Sequence, residues 1–140
     1  MFIVFDLDGT LALDKQREHH LLKTPKDWDA WHNECHLDEP HHPIVRLAKD
    51  LDVTGHRIEI WSGRSDQVIG LTYLWLADHG LSNFPLRMRK QGDHREDTII
   101  KQEFLAEFGR PDLVFDDRQR VVNMWRSLGI VCCQVAPGDF

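Results

Sequence analysis

The chain has 140 residues, 41% hydrophobic and 29% charged, with a formal net charge of −6. That is one globular domain's worth of sequence, too short for two full domains. The acidic balance excludes a nucleic-acid binder that depends on a globally basic surface, though not a local basic groove. The three cysteines include the adjacent Cys132 and Cys133, give no disulfide framework and read as reduced thiols. With no basic-then-apolar leader and no run approaching about 18 apolar residues, the protein is expected to be cytoplasmic and to have no membrane partner.

In chain order, Phe2-Ile-Val-Phe5 is an unbroken apolar run that ends on Asp6 and Asp8, followed by Gly9 and Thr10. It predicts a strand buried on both faces of a parallel sheet, delivering acids to the carboxyl edge where open α/β sheets bind ligands. Two carboxylates so close repel, so the pair calls for a cation between them, and Mg²⁺ suits all-oxygen ligands. One acid could then attack phosphorus while the other moves protons.

Residues from about 14 to 43 are polar and histidine-rich, and are expected to form a small cap or lid insert beside the site. Thr24-Pro25 with Asp27 predicts a helix start, Thr24 capping, and places Trp28 and Trp31 on one side of a short helix. The spacing of His32, Cys35, His36, His41 and His42 matches no zinc pattern.

A helical stripe runs over Ile44–Leu51. Arg57–Trp61 then alternates as a strand into a Ser62-Gly63-Arg64 turn, and Arg64 is suited to clamp phosphate oxygens bidentately. A helix follows over Ser65–Gly80, with Trp75 in its core face, and then a short strand Pro85–Arg89. Arg87, Arg89, Lys90 and Arg95, with His94 among them, form the one dense basic cluster, the candidate contact for a polyanionic substrate. The next helix opens at Asp97-Thr98 and carries Lys101 in its first turns, where helix-dipole logic would not choose a cation. Leu113-Val-Phe115 repeats the opening theme by ending on Asp116 and Asp117. A helix with buried Val121, Val122, Met124, Trp125 and Leu128 and a strand over Ile130–Ala136 close the chain.

Asp6-Leu-Asp-Gly-Thr10, Ser62, Lys101 and Asp116-Asp117, in this order, resemble the four signatures of the haloacid dehalogenase (HAD) phosphohydrolase superfamily. The resemblance implies an α/β, HAD-like Rossmannoid fold, a central parallel sheet flanked by helices, with the small cap insert after strand 1. It implies Asp6 as the nucleophile that forms a phosphoaspartate and Asp8 as general acid and base. Ser62 would bind the transferring phosphoryl group and Lys101 would neutralise charge. Mg²⁺ would be the cofactor, with Asp6, Asp8, Asp116 and Asp117 in the metal shell.

A narrower likeness covers nearly the whole chain. Arg89-Lys-Gln-Gly-Asp-His-Arg-Glu-Asp97 with Lys101, Phe115-Asp-Asp-Arg118, Val121-Val-x-Met-Trp-Arg126 and Gln134-Val-Ala-x-Gly-Asp-Phe140 resemble the 3′-phosphatase domain of bacteriophage polynucleotide kinase/phosphatase. That implies removal of a 3′-phosphate or 2′,3′-cyclic phosphate from a nucleic-acid end in repair, with substrate contacts from Thr10, Gly63, Arg64, Arg89 and Arg118. The Gly-x-x-x-x-Gly-Lys-Ser/Thr phosphate loop is absent, so a separate kinase or ligase would supply the remaining repair steps. Two other readings stand beside this one: a phosphatase of mononucleotides or other small esters, over which a lid could close, and a non-catalytic binding module. Relative rates on oligonucleotides and mononucleotides separate the first, and intact catalytic residues argue against the second.

Overall fold

The structure, a computed structural model, describes residues 1–139; Phe140, the last residue of the terminal motif, lies outside the described residues. In chain order the elements are β1 (Phe2–Phe5), β2 (Ala12–Leu13), α1 (Trp28–Asn33), β3 (Glu39–Pro40), α2 (His42–Val53), β4 (Arg57–Ser65), α3 (Ile69–Asp78), β5 (Leu86–Arg89), α4 (Asp97–Phe108), β6 (Leu113–Asp116), α5 (Gln119–Ser127) and β7 (Val131–Gln134). Five strands form one sheet in the order β5-β4-β1-β6-β7, every pair parallel. The chain is thus an α/β protein with a central parallel sheet between helices.

The apolar run of β1 follows from its central place. Ile3 and Phe5 enter a core with Val45, Ala48, Trp75 and Leu76 of α2 and α3. Phe2 and Val4 face the opposite core with Phe104, Val121 and Trp125 of α4 and α5. A strand covered on both sides has no solvent-facing position to make polar. Phe5 stacks on Phe115 of β6, centroids 4.6 Å apart, locking two of the three strands that end at the site. Because the strands are parallel, the carboxyl ends of β1, β4 and β6 lie along one edge of the sheet.

Several boundaries differ from the sequence expectation, the closing strand among them, which spans Val131–Gln134. The strand read as Arg57–Trp61 continues to Ser65, so Ser62, Gly63 and Arg64 are extended rather than a turn, with an irregularity against β5 between Ser62 and Ser65. The helix expected from Ser65 therefore begins as a 3₁₀ turn over Asp66–Val68 before α3. In the insert, α1 starts at Trp28 and is capped by Asp27, whose carboxylate accepts from the Ala30 N–H at 3.1 Å, not by Thr24. An aspartate at the cap also meets the helix dipole favourably, which a hydroxyl does not.

The insert is tied at its base by the antiparallel β2–β3 ribbon. Between those strands run a 3₁₀ stretch over Lys15–Leu21, then α1, then a 3₁₀ turn over Cys35–Leu37. At its centre is a charge, the fully buried Arg17. Its guanidinium stacks 3.9 Å over the Trp31 ring and donates to the Trp31 carbonyl at 3.1 Å. Trp75, a core residue as expected, donates from its indole N–H to the Asp38 carbonyl at 2.8 Å and so joins α3 to the insert. The insert also brings together His19, His20 and Glu34, with His20 Nε2 2.9 Å from Glu34 Oε2, a grouping that linear histidine spacing does not reveal. Among the described residues no helix is long and apolar enough to cross a membrane.

Candidate active site

β1 delivers Asp6, β6 delivers Asp116 and Asp117, and the first turns of α4 bring Lys101 down between them. Lys101 is 2% exposed. Its Nζ donates to Asp6 Oδ1 at 2.8 Å and to Asp116 Oδ2 at 2.7 Å. The misplaced cation of the sequence is thus the counter-ion of buried acids. The other oxygen of Asp116 accepts from the N–H groups of Asp117 and Arg118 at 2.9 and 3.2 Å, which pins the turn after β6.

Asp6, Asp116 and Asp117 are all buried, and oxygens of the three lie within 4.8 Å of one another. Three carboxylates against one ammonium leave a formal deficit of two positive charges. The electrostatics register that deficit. Burial lifts the Asp6 carboxyl well above the usual carboxylate range; Lys101 opposes the lift, and Asp116 and Asp117 add to it. Burial and the Asp116 charge push Asp117 up to about 6. Burial works against a charged Lys101, yet Asp116 and Asp6 outweigh it and hold the ammonium well above its ordinary range.

Asp8 is in different company. Arg64 donates to it through Nε at 3.2 Å and Nη2 at 2.6 Å, and Arg17 through Nη2 at 2.5 Å. Arg17 also grips both oxygens of Asp38, at 2.9 and 2.7 Å. Asp8, Asp38, Arg17 and Arg64 form a charge-neutral quartet. Burial disfavours the Asp8 charge, but Arg64 and then Arg17 outweigh burial and hold its carboxyl well below the usual range. The structure therefore separates the Asp8 carboxylate from the three-acid group, because its charge is already met.

A cavity of about 470 Å³ opens over these groups, in the size range of small-molecule sites. Its wall includes Asp6, Asp8, Gly63, Arg64, Arg89, Lys101, Asp116, Asp117 and Arg118, together with Trp28, Trp31 and His32 of the insert. Ser62 and Thr10 are not on that wall. The Ser62 hydroxyl is buried beneath it and accepts from the Arg64 N–H at 3.0 Å, while the Thr10 hydroxyl donates to Asp117 Oδ1 at 3.4 Å.

Asp97, read from the sequence as a helix opener and as the end of the Arg89–Asp97 motif but given no contact there, accepts from Arg89 Nη2 on one oxygen and from Arg118 Nη1 at 2.6 Å on the other. It holds both arginines at the cavity. Gly63 is required by that approach, since a Cβ there would lie 2.6 Å from Asp97 Oδ1. The basic cluster is largely compensated in space. Arg87 points away to Glu59 at 3.1 Å and stacks on Phe108, and Arg95 pairs with Asp93 and Glu103. Arg89, His94 and Arg95 line the cavity, whereas Arg87 and Lys90 do not.

Gly9 turns the chain after Asp8 with φ +85°, its N–H donating to the Ala12 carbonyl at 2.8 Å. A Cβ there would lie 2.1 Å from Asp117 Oδ2. Gly9→Ala is expected to cost about 1–3 kcal/mol in thermal unfolding and to lower turnover by displacing Asp117. Unchanged turnover would mean that Asp117 can move without consequence.

The polynucleotide kinase PNKP phosphatase domain model matches residues 1–140. A putative bifunctional polynucleotide kinase/RNA ligase of Autographa californica nuclear polyhedrosis virus is 30% identical over 134 residues, 91% of this chain and 18% of that protein. A chain of the Pnkp1/Rnl/Hen1 RNA repair complex superposes with TM-score 0.86 at 30% identity, over 99% of this chain and 43% of its own length. The class C acid phosphatase from Bacillus anthracis superposes with TM-score 0.70 at 19% identity, over 99% of this chain and 66% of its own, a likeness of fold. The chain thus spans less than half of the polynucleotide-processing proteins it matches.

Proposed function

The chain belongs to the polynucleotide kinase PNKP phosphatase domains, and from that premise we propose that it is a Mg²⁺-dependent polynucleotide 3′-phosphatase acting through a phosphoaspartate on Asp6. The observation that carries the chemistry is the three-acid group of Asp6, Asp116 and Asp117 around Lys101, short by two positive charges, at the carboxyl edge of the sheet. All-oxygen, buried and doubly undercharged, it fits a hard divalent cation. Bound there, Mg²⁺ would supply charge stabilisation for the phosphoryl oxygens.

The chain's own residues do the rest. An Asp6 oxygen attacks phosphorus in line. As phosphoryl oxygens draw a guanidinium from Asp8, its carboxylate takes a proton from solvent and hands it to the leaving ribose oxygen while the bond from phosphorus to that oxygen breaks. Water, deprotonated by Asp8, then attacks the phosphorus of the phosphoaspartate and returns Asp6 to a carboxylate. Arg17 and Arg64 hold Asp8 ionised and oriented until phosphoryl oxygens compete for a guanidinium. Arg89 and Arg118, braced by Asp97, present donors to the phosphate, and Lys101 offsets the charge that accumulates on it. The Ser62 hydroxyl, through the Arg64 N–H, sets the strand end that carries Arg64. Residues 14–43 act as the cap over this cavity. Separate kinase and ligase activities would complete end repair, and the likeness to the RNA repair complex supports RNA ends as substrate.

The test is phosphate release from a 3′-phosphorylated oligonucleotide with and without Mg²⁺, beside its 5′-phosphorylated counterpart and nucleoside 3′- and 5′-monophosphates. Preference for the 3′-phosphorylated oligomer is expected. Preference for the mononucleotides would keep the chemistry and replace the substrate.

A calorimetric consequence is independent of substrate. Asp117 carries a folded-state pKa of about 6, above the roughly 3.9 of an unfolded carboxyl. Between those values the folded protein binds more protons than the unfolded one. The contribution of Asp117 to the stability of the cation-free protein is therefore lost as pH rises through this window. Added Mg²⁺ is expected to raise the melting temperature, by more at pH 8 than at pH 5. An equal effect at both would place the cation elsewhere.

A further inference from the structure

The cavity has two chemically distinct parts. One is the array of acids and cations fitted to phosphate. The other is contributed by the insert, where α1 sets Trp28 and Trp31 into the wall. Trp31 is 8% exposed and is fixed by Arg17 over its ring. Trp28 meets it edge to face, centroids 5.8 Å apart at 81°, yet is 49% exposed. Tryptophan buries most of its surface on average, so an indole braced by the insert core but left half open on the cavity wall keeps ring surface uncovered, even with Lys26 over the ring and the His32 ring 6.3 Å away. The phosphoryl group itself supplies no flat surface for it. A nucleobase does. Lys26, exposed beside Trp28 with Nζ 5.7 Å from the ring centroid, adds a cation of the kind that accompanies a polyanionic strand.

We propose that the Trp28 indole is the stacking platform for the base of the nucleotide whose phosphate is removed. The proposal rests on the phosphomonoesterase reading above. Every base has a π-face, and stacking alone carries no base-edge recognition. The site therefore selects for the presence of a terminal base and not for its identity, and the insert determines the substrate class while the sheet edge performs the chemistry.

The experiment uses the full chain with Mg²⁺ and two 3′-phosphorylated oligonucleotides that differ only in whether the last residue carries a base or is abasic. The parent is expected to favour the base-bearing end by about tenfold in kcat/KM, with the four bases within about threefold of one another. In Trp28→Ala that preference falls towards unity, chiefly through KM, and Trp28→Phe retains most of it. Equal rates on both ends in the parent, an undiminished preference in W28A, or a spread of tenfold or more among the four bases would each overturn the proposal. Binding separates this from a failure of the chemistry. Quenching of tryptophan emission by adenosine 3′-phosphate, present in the parent and lost in Trp28→Phe, supports the platform even in a protein that hydrolyses nothing. Identical quenching in the two overturns it.

Discussion

Asp6→Asn is expected to lower phosphate release by at least about 10⁴-fold while the cation-free variant melts no lower than the parent. Asp6 is 7% exposed and shares Lys101 with Asp116. Its ionised form is disfavoured by burial and by two neighbouring acids. The amide removes a charge that the fold already resists and keeps an oxygen for Lys101 to donate to, so the packing should survive. What disappears is the oxygen proposed to bond to phosphorus, and Asp116 is not free to replace it, since both its oxygens are committed to Lys101 and to backbone N–H groups. Turnover within tenfold of the parent would remove Asp6 from the nucleophile's role. A broad or missing unfolding transition would make its carboxylate a structural partner of Lys101.

Lys101→Met is expected to cost about 3–5 kcal/mol, the cost of leaving buried charge uncompensated, which is roughly 10–15 °C in melting temperature for a domain of this size. Both of its ion pairs are almost fully shielded, with side-chain exposures of 3% and 10% for the first and 3% and 1% for the second. Solvent therefore cannot stand in for the ammonium. The acids can escape by taking up protons, so the loss should be smaller at pH 5 than at pH 8, and Mg²⁺ should recover part of it. Differential scanning calorimetry at the two pH values checks this. A melting temperature unaffected at pH 8 would mean that the three acids tolerate one another unaided.

The sheet and most of the candidate site were legible because their signals are local. A run such as Phe2–Phe5 that never turns polar, then breaks to two acids, has few physical explanations besides a doubly covered strand ending at a site, and Leu113–Asp117 repeats it. Lys101 stood out because its charge opposed the helix dipole. Arg17, Asp38 and Asp97 were not legible. Arg17 meets Asp8 and Asp38 across 9 and 21 positions, and no periodicity links charges brought together by an irregular insert. Asp97 looked like an ordinary helix opener because its two arginines come from β5 and from the turn after β6. The basic cluster misled in the other direction. Its neighbours in sequence are cationic, but Arg87 and Arg95 find Glu59 and Glu103 in space. The overrun of β4 through Gly63 was hidden because glycine reads as a turn unless one knows that Asp97 occupies the space of its missing side chain.

The two guanidiniums on Asp8 come from different bodies, Arg64 from the end of β4 and Arg17 from the heart of the insert. The seating of the insert and the environment of the Asp8 carboxylate are therefore one thermodynamic variable. Reciprocity then runs both ways: a phosphate analogue that draws Arg17 from Asp8 loosens the insert, and an antibody fragment that clamps the insert must weaken that analogue by the same factor. Selection for a different substrate among relatives would thus be felt by Asp8 without a single change on the sheet.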